Sequence, residues 1–264
     1  MIISNISQYP RRLSLIMRLN CVVITLFWAA NCCVAQSSTL PVASPYALSW
    51  QLDAPLSVGS MLGIGTSMWL HQHKPQLTEA DIAQLQRQDV WTIDRRATYN
   101  WSPKAQKTSD FILLGSNALP LILLADPNMR RDTRNIALLT FETYALNFAL
   151  TNLTKNIVRR KRPFTYNPNV PLSEKTDLDA TSSFFSGHVS MTAASTFMTA
   201  KIWNDYYPNS PAKPYIWTAA ALLPAINAYL RVRGGKHYAT DVLVGYIVGA
   251  GVGLLVPQLH KIKN

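Results

Sequence analysis

The sequence has little cysteine and little charge, and both shortages restrict what the protein can be. Its three cysteines, Cys21, Cys32 and Cys33, all lie near the N-terminus. The chain beyond residue 35 therefore has no thiol with which to form a disulfide or a cysteine metal site. Charged residues make up 15% of the chain, whereas ordinary soluble domains contain about 25%. This deficit favours a membrane protein or a very apolar helical bundle.

Strand signals are also missing, because no stretch alternates apolar and polar residues and no internal repeat or low-complexity tract occurs. Apolar runs of helical length recur instead, so the predicted fold class is all-α, a six-helix bundle. A short additional helix is predicted near Thr78, with acids in its first turn. The connection 71–108 is open to two interpretations, a lid or a plain structural connection, and the second is favoured. The six predicted helices cover residues 56–70, 111–125, 135–153, 188–203, 215–230 and 241–259.

The N-terminus has the pattern of a secretory signal. Arg11, Arg12 and Arg18 precede a short apolar run, and Cys33-Val34-Ala35 offers a small-x-small cleavage site. An uncleaved anchor is the alternative. The predicted organisation is a signal segment over residues 1–35, a linker over 36–54 and one domain over 55–264.

Membrane embedding is predicted from the apolar runs, although their lengths are marginal. A span needs about 20 apolar residues, and several runs here are shorter, so a soluble secreted bundle stays open. Gly245, Gly249 and Gly253 recur at four-residue spacing in the last helix, which predicts close packing against another helix. The formal net charge of +11 is consistent with an anionic substrate, an anionic lipid surface or nucleic acid. No aromatic interleaving supports nucleic acid.

One segment near the C-terminus has the composition of a phosphoryl-transfer site. In it His237 lies one helical turn before Asp241 and six residues after Arg231, with Gly234 and Gly235 between them. A histidine beside a carboxylate and fixed positive charge suits nucleophilic attack on phosphorus. The two glycines are expected to let the backbone approach the phosphate. Alone, the segment is a weak signal.

Two upstream segments strengthen it. Lys155 and Arg162, the latter followed by Pro163, could bind phosphate or form a juxtamembrane basic cluster. Ser186-Gly187-His188 stands at the start of a predicted helix, where free N–H groups and the helix dipole favour an anion. The alternative there is an N-cap serine with an incidental histidine.

In this order the three segments resemble the tripartite signature of the type 2 phosphatidic acid phosphatase superfamily. That superfamily also includes secreted non-specific acid phosphatases and vanadium haloperoxidases. Two positions depart from its pattern: Phe185 stands where the family usually has proline, and Leu230 where it usually has serine. Both positions flank the residues that carry chemistry and replace none of them.

The resemblance implies roles for eight residues. His237 would attack phosphorus and form a phosphohistidine, Asp241 would accept a hydrogen bond from its other ring nitrogen, and His188 would protonate the leaving oxygen. Neither a cofactor nor a metal is expected, because fixed cations supply the electrostatic stabilisation. The remaining residues would bind the phosphate: Lys155, Arg162, Ser186, Gly187 and Arg231.

The predicted function is therefore metal-independent hydrolysis of a lipid phosphate, either a monoester or a pyrophosphate, in a bacterial envelope membrane with the site facing the periplasm. A soluble periplasmic acid phosphatase and a vanadate-dependent haloperoxidase are the alternatives. The sequence selects neither the lipid nor an oligomeric state. His71, His73 and His260 are predicted to lie on the surface, and no separate cluster of carboxylates and histidines is expected. Five further cations either widen the positive funnel or lie in solvent, with solvent favoured: Arg159, Arg160, Lys161, Arg233 and Lys236.

Overall fold

The computed structural model describes residues 43–262, and within them it contains no strand beyond one isolated bridge between Tyr46 and Lys261. The predicted all-α class is confirmed. The predicted signal segment lies outside the described residues. Six long helices form the bundle: α1 (Trp50–Gln72), α2 (Pro103–Asn117), α3 (Thr133–Val158), α4 (Gly187–Tyr206), α5 (Lys213–Arg233) and α6 (Ala239–Leu259).

Short helices occupy the connections. The predicted helix near Thr78 is present, and Thr78 and Asp81 form a reciprocal capping box at its start. The α-helical segments are Glu79–Ala83, Thr92–Arg95, Pro120–Leu123, Pro127–Arg131 and Leu172–Lys175, and the 3₁₀ segments are Arg87–Asp89, Arg96–Tyr99, Pro163–Tyr166 and Leu178–Thr181.

The second predicted helix is displaced in the structure. Instead of residues 111–125, α2 covers Pro103–Asn117. Ser102 caps its start by accepting a hydrogen bond from the Ala105 N–H, and Pro103 takes the first helical position. Pro120 cannot continue the helical hydrogen bonding and starts a separate turn. Capping residues, not the apolar run, therefore determine the bounds of α2.

The glycine row of α6 packs directly on the backbone of α4, as predicted. A Cβ at Gly245 would lie 2.6 Å from the Ser186 carbonyl oxygen, and one at Gly249 would lie 2.0 Å from that of Ser190. Gly253 meets the Ala194 carbonyl oxygen at 2.4 Å in the same way. Since no side chain fits at these positions, the glycines set the distance between the two helices.

Besides an apolar core that includes Met129, Leu139 and Trp203, the bundle has polar groups inside and many large apolar side chains on its exterior. Ser109 donates to Asn227 at 2.5 Å and Ser190 donates to Asn147 at 2.6 Å, and all four residues are buried. Small polar residues bonding between helices are typical of membrane bundles. Many large apolar side chains are exposed, among them Leu62, Leu114, Tyr229, Leu243 and Ile247. Of the described helices, α6 alone is long and apolar enough to count as a candidate span, with a mean hydropathy of 1.9.

The two ends of the described chain lie side by side. The Ala47 N–H donates to the His260 carbonyl at 3.0 Å, and the Ile262 N–H donates to that of Pro45 at 3.0 Å. Tyr46 is buried and its hydroxyl donates to Asp205 at 2.9 Å. Residues 45–47, which belong to the predicted linker 36–54, are held by these contacts, and α1 begins at Trp50.

Candidate active site

The ends of four helices bring the predicted site residues together. α3 ends at Val158, because Arg159 adopts a left-handed conformation with φ of 51°. α4 and α6 begin, and α5 ends, at the same end of the bundle. The electrostatic neighbours of His237 include Lys155, Arg162 and Arg231. All eight predicted residues therefore lie at this end: Lys155, Arg162, Ser186, Gly187, His188, Arg231, His237 and Asp241.

His237 is buried, with 1% of its surface exposed. Its Nδ1 lies 2.7 Å from the carbonyl oxygen of Ser183. Because a carbonyl can only accept, Nδ1 carries the proton and Nε2 presents a free lone pair. Burial and the positive charges of Arg162 and Arg231 hold the pKa of His237 well below its usual value. The ring is therefore neutral, with the lone pair of Nε2 free.

The expected hydrogen bond from His237 to Asp241 is absent. The Asp241 Oδ2 is 3.7 Å from the His237 Nδ1, which is too long for a hydrogen bond. That oxygen instead accepts from the Ser183 hydroxyl at 2.5 Å and from the Tyr238 N–H at 3.0 Å. Because Ser183 also supplies the carbonyl that fixes the imidazole, Asp241 positions His237 through Ser183.

Three cations surround the buried histidine. Arg162 and Arg231 are only 5% and 4% exposed. Arg162 is held by the Asp179 carbonyl at 2.8 Å, and burial lowers its pKa. Lys155 completes the set beside the start of α4, where its Nζ would be 3.3 Å from a Cβ at Gly187. Buried positive charge in such a concentration favours an anionic ligand.

Two buried polar atoms in this cluster have no hydrogen-bond partner among the described residues. They are the Ser186 hydroxyl oxygen and the Arg231 Nε. Ser186 occupies the N-cap position of α4 and is fully buried. An unpaired buried polar group costs about 1–3 kcal/mol, and the oxygens of a bound phosphate would satisfy both atoms.

Asp110 joins His188 to Arg231, and no sequence pattern pointed to it. The Asp110 Oδ1 lies 2.8 Å from the His188 Nε2 and 3.5 Å from a terminal nitrogen of Arg231. Asp110 comes from α2, outside the three matching segments, and 59% of its side chain is exposed. The site therefore opens to its surroundings on the side of Asp110 and His188.

Lys74 is a second residue that sequence reasoning missed. It follows α1, is 4% exposed, and donates to the Ser182 hydroxyl at 2.6 Å. Burial lowers the pKa of Lys74, and the charge of Arg162 acts in the same direction. A lone lysine between an apolar helix and Pro75 was the available signal. It adds a further buried cation to this end of the bundle.

The connection 71–108 supports the site from behind. Its Asp94 is fully buried and accepts from the Thr240 N–H at 3.1 Å and from Arg160 at 2.8 Å. The other end of the Arg160 guanidinium donates to Asp241 at 2.5 Å. These contacts are of the kind that the structural interpretation of the connection predicts. The solvent interpretation of Arg160 was wrong, because Arg160 ties the connection to the site.

The two glycines of the third segment have a different role from the one predicted. Gly235 has a positive φ of 71° and a Cβ there would lie 2.2 Å from the Asn100 carbonyl oxygen. Gly234 accepts through its carbonyl from Gln106 at 2.7 Å. The close approach is therefore to the connection 71–108, and it fixes the loop that carries His237.

A cavity of about 590 Å³ lies beside this cluster, not over it. Its lining includes Trp91, Phe184, Leu243 and the cation Arg160. None of the eight predicted site residues is among the described residues that line this cavity. We therefore assign the phosphate-binding position to the cations around His237 and not to this cavity.

His260 was predicted on the surface and is buried, with 3% exposed. It contacts Asp53 and Glu142, so a separate cluster of carboxylates and a histidine does exist. The expectation of no such cluster was wrong, because Asp53 and Glu142 are distant in sequence and only the packing of α1 on α3 brings them to His260.

Comparison with known proteins identifies similar chains. The sequence model of the PAP2 superfamily matches residues 136–264. An undecaprenyl-diphosphatase of Sulfolobus acidocaldarius is 26% identical over 134 residues, which are 49% of this chain and 57% of that protein. The match thus spans little more than half of the relative. A transmembrane PAP2 type phosphatidylglycerolphosphate phosphatase from Bacillus subtilis has a similar structure, with a TM-score of 0.49 and 22% identity over 78% of this chain and 96% of that one.

Proposed function

The chain belongs to the PAP2 superfamily, as its three sequence segments predicted, and on that premise we propose that it hydrolyses a lipid phosphate through a phosphohistidine formed on His237. The observation that carries the proposal is the neutral, buried His237 among three cations, with two unpaired polar atoms beside it. A phosphate ester supplies the electrophile for the ring and the oxygens for the cations.

In the first step the His237 Nε2 attacks phosphorus, and the bond from phosphorus to the leaving oxygen breaks. His188 gives that oxygen a proton, so the leaving alcohol or phosphate departs protonated at the oxygen that was bonded to phosphorus. Lys155, Arg162 and Arg231 stabilise the charge that develops on the remaining oxygens.

In the second step a water molecule gives its proton to His188 and attacks phosphorus. The phosphorus–nitrogen bond breaks, inorganic phosphate leaves, and the ring returns to its neutral form. Asp241 acts through Ser183 by keeping the proton on Nδ1, so that Nε2 is always the reacting atom. No metal takes part in either step.

The exterior of the bundle supports a lipid as the substrate. Exposed apolar side chains such as Leu62, Leu114 and Leu243 form the kind of surface that contacts membrane or apolar ligands. The name of the Sulfolobus relative points to a polyprenyl diphosphate, and Lys74 adds positive charge that suits a diphosphate. We propose a bacterial envelope membrane as the location, with lipid monoesters as competing substrates.

A soluble acid phosphatase acting on small esters is the second candidate. One observation favours it: among the described helices, α6 alone meets the hydropathy criterion for a span. The chemistry would be the same, and only the substrate and the partitioning of the protein would differ.

The test is phosphate release from undecaprenyl diphosphate, phosphatidylglycerol phosphate, phosphatidic acid and p-nitrophenyl phosphate at 25 °C. We expect one of the lipids to be preferred, and His237→Ala to lower its rate by about 10³-fold or more. His73→Ala, which removes an exposed histidine, is the matched control and should leave the rate unchanged. EDTA should not alter the initial rate. Full activity of His237→Ala, or hydrolysis that stops with EDTA and returns with a divalent cation, would overturn the proposal.

A further inference from the structure

The cluster of Asp53, Glu142 and His260 lies at the end of the bundle opposite the candidate active site. Asp53 is in the first turn of α1 and His260 follows the last residue of α6. With a rise of about 1.5 Å per residue, the length of α6 separates His260 from Asp241 by about 28 Å. We propose that these three side chains bind a divalent cation of the zinc type, which ties α1, α3 and the end of α6 together.

The ligand atoms are already close to the spacing that a tetrahedral site needs. The His260 Nε2 lies 2.8 Å from the Asp53 Oδ1 and 3.2 Å from the Glu142 Oε2. All three ligand atoms lie within 4.8 Å of one another. In a tetrahedral zinc site with bonds of about 2.0–2.1 Å, neighbouring ligand atoms are about 3.3 Å apart. Because the Asp53 Oδ1 lies along the Nε2 lone-pair direction, Asp53 would swing aside to admit the ion between the three ligand atoms.

The tautomer of His260 directs its lone pair at the carboxylates. Its Nδ1 lies 2.8 Å from the Val256 carbonyl oxygen, so Nδ1 carries the proton. In the neutral ring Nε2 is then an acceptor that faces two further acceptors. Only a proton or a cation between these atoms removes their mutual repulsion.

The surroundings of the cluster match those of metal ligands. A histidine that binds a metal usually donates its other N–H to a carbonyl, and a ligating carboxylate is itself hydrogen-bonded. His260 donates to Val256, and the Ser57 hydroxyl donates to the Glu142 Oε1 at 3.1 Å. The second oxygen of Glu142 is left for the cluster.

Burial makes the negative charge of the two carboxylates costly unless a cation balances it. Glu142 is fully buried, and its Oε2 accepts no hydrogen bond even though Nε2 is 3.2 Å away, because the ring direction points at Asp53. Within residues 43–262, no lysine or arginine pairs with either carboxylate. A neutral His260 leaves two uncompensated negative charges, an imidazolium leaves one, and a divalent cation leaves none. Isolated buried charge is costly.

The donor set selects the type of metal. One imidazole nitrogen and two carboxylate oxygens suit zinc and similar transition ions, whereas magnesium prefers oxygen ligands alone. The Asp53 side chain is 15% exposed while those of Glu142 and His260 are buried. The fourth coordination position therefore opens on the side of Asp53, where water can complete the site.

The test uses the untagged full-length protein, stripped with EDTA and titrated with Zn²⁺ alone by calorimetry and by thermal melting. We expect one ion per chain and a rise in Tm, with Glu142→Gln and His260→Gln each weakening binding by about 10-fold or more. His73→Ala is the matched control, because the His73 Nδ1 has the same contact with a carbonyl four residues earlier, at 2.8 Å, on an exposed ring. It should bind zinc as the wild type does.

If Glu142→Gln does not fold, Asp53→Asn, at the most exposed of the three ligands, gives the same comparison. No zinc-dependent rise in Tm, or binding that these substitutions leave unchanged, would overturn the proposal and leave a protonated ion triad as the explanation. His237→Ala should retain zinc binding. The initial rate of phosphate release at 25 °C should not depend on zinc, so failure of this proposal and failure of the phosphatase proposal give different results.

Discussion

His237 is oriented by a backbone carbonyl and not by the carboxylate that follows it one turn later. The Ser183 carbonyl accepts from Nδ1, and the Ser183 hydroxyl donates to Asp241. Asp241 therefore holds Ser183 in place, and Ser183 in turn orients the imidazole of His237. Burial and the neighbouring cations hold the pKa of His237 down even though the Asp241 carboxylate lies 3.7 Å from Nδ1.

The pH dependence of kcat/KM reports this environment. Burial and nearby cations lower the pKa of His237, so the ring loses its nucleophilic form only at a pH well below about 6.5, the ordinary value for histidine. We expect the acid limb of the profile, corrected for ionisation of the substrate, to lie below that pH. An acid limb at or above it would contradict the assignment.

Asp110 is expected to position His188. Its carboxylate lies 2.8 Å from the His188 Nε2, and general acid–base catalysis is worth about 10²–10⁴-fold. Replacing Asp110 with Asn should lower kcat by about 10-fold, with a smaller change in KM, because the ring keeps its place but loses its charged partner. Glu79→Gln, at an exposed acid away from the site, is the control. An unchanged kcat in Asp110→Asn would exclude the role.

Among the helices, α4 is the central element, and the glycines of α6 determine how closely α6 packs against it. Three glycines of α6 lie against three carbonyls of α4, and one of these belongs to Ser186 at the site. The spacing of the two helices therefore also sets the position of the phosphate-binding turn.

Gly249→Ala should destabilise the fold, and Gly251→Ala should not. A Cβ at Gly249 would lie 2.0 Å from the Ser190 carbonyl oxygen, whereas one at Gly251 meets nothing within 4 Å. Overpacking costs about 1–3 kcal/mol, whereas alanine at an open helical position gains up to about 1 kcal/mol over glycine. Thermal melts of the two variants in detergent give the comparison. Equal Tm values would show that the helices do not pack as described.

Periodic apolar runs predicted four of the long helices well, because in these helices the apolar run extends over most of the helix length. α3 to α6 each contain the predicted segment and extend it by up to a few residues. α2 was misplaced, because Ser102, Pro103 and Pro120 set its bounds by capping chemistry that an apolar run does not reveal.

The predicted site residues do come together. Within each segment they are close in sequence, so their mutual placement was predictable. The supporting residues could not be predicted. Asp110, Arg160 and Lys74 act on partners that are 78, 81 and 108 positions away in the sequence. His260 was misjudged for the same reason, since the burial of a residue after a helix depends on which other helices pack there.

Over the described residues, the bundle combines buried polar hydrogen bonds between its helices with many large apolar side chains on its exterior. Serine, threonine and asparagine side chains join the helices, while tryptophan, leucine and isoleucine side chains project outward. In water such a surface would favour aggregation, and in a bilayer it is the expected lipid contact.

Membrane partitioning follows from that surface. After expression in a bacterial host, the protein should stay in the membrane pellet through high-salt and carbonate washes and be released by detergent, because apolar contact and not charge holds it. Immunodetection in each fraction is the measurement. Recovery in the aqueous fraction without detergent would favour the soluble acid phosphatase.

The pairing of residues 45–47 with 260–262 constrains membrane topology. Both ends of the described chain lie at one end of the bundle, and the candidate catalytic centre lies at the other. If α1 crosses the bilayer, the catalytic centre and residue 43 are on opposite sides. A secretory signal that exports residue 43 would then turn the catalytic centre toward the cytoplasm, and a periplasmic centre requires residue 43 to remain cytoplasmic. Whether the first 35 residues export residue 43 therefore also determines the compartment from which the substrate reaches the catalytic centre.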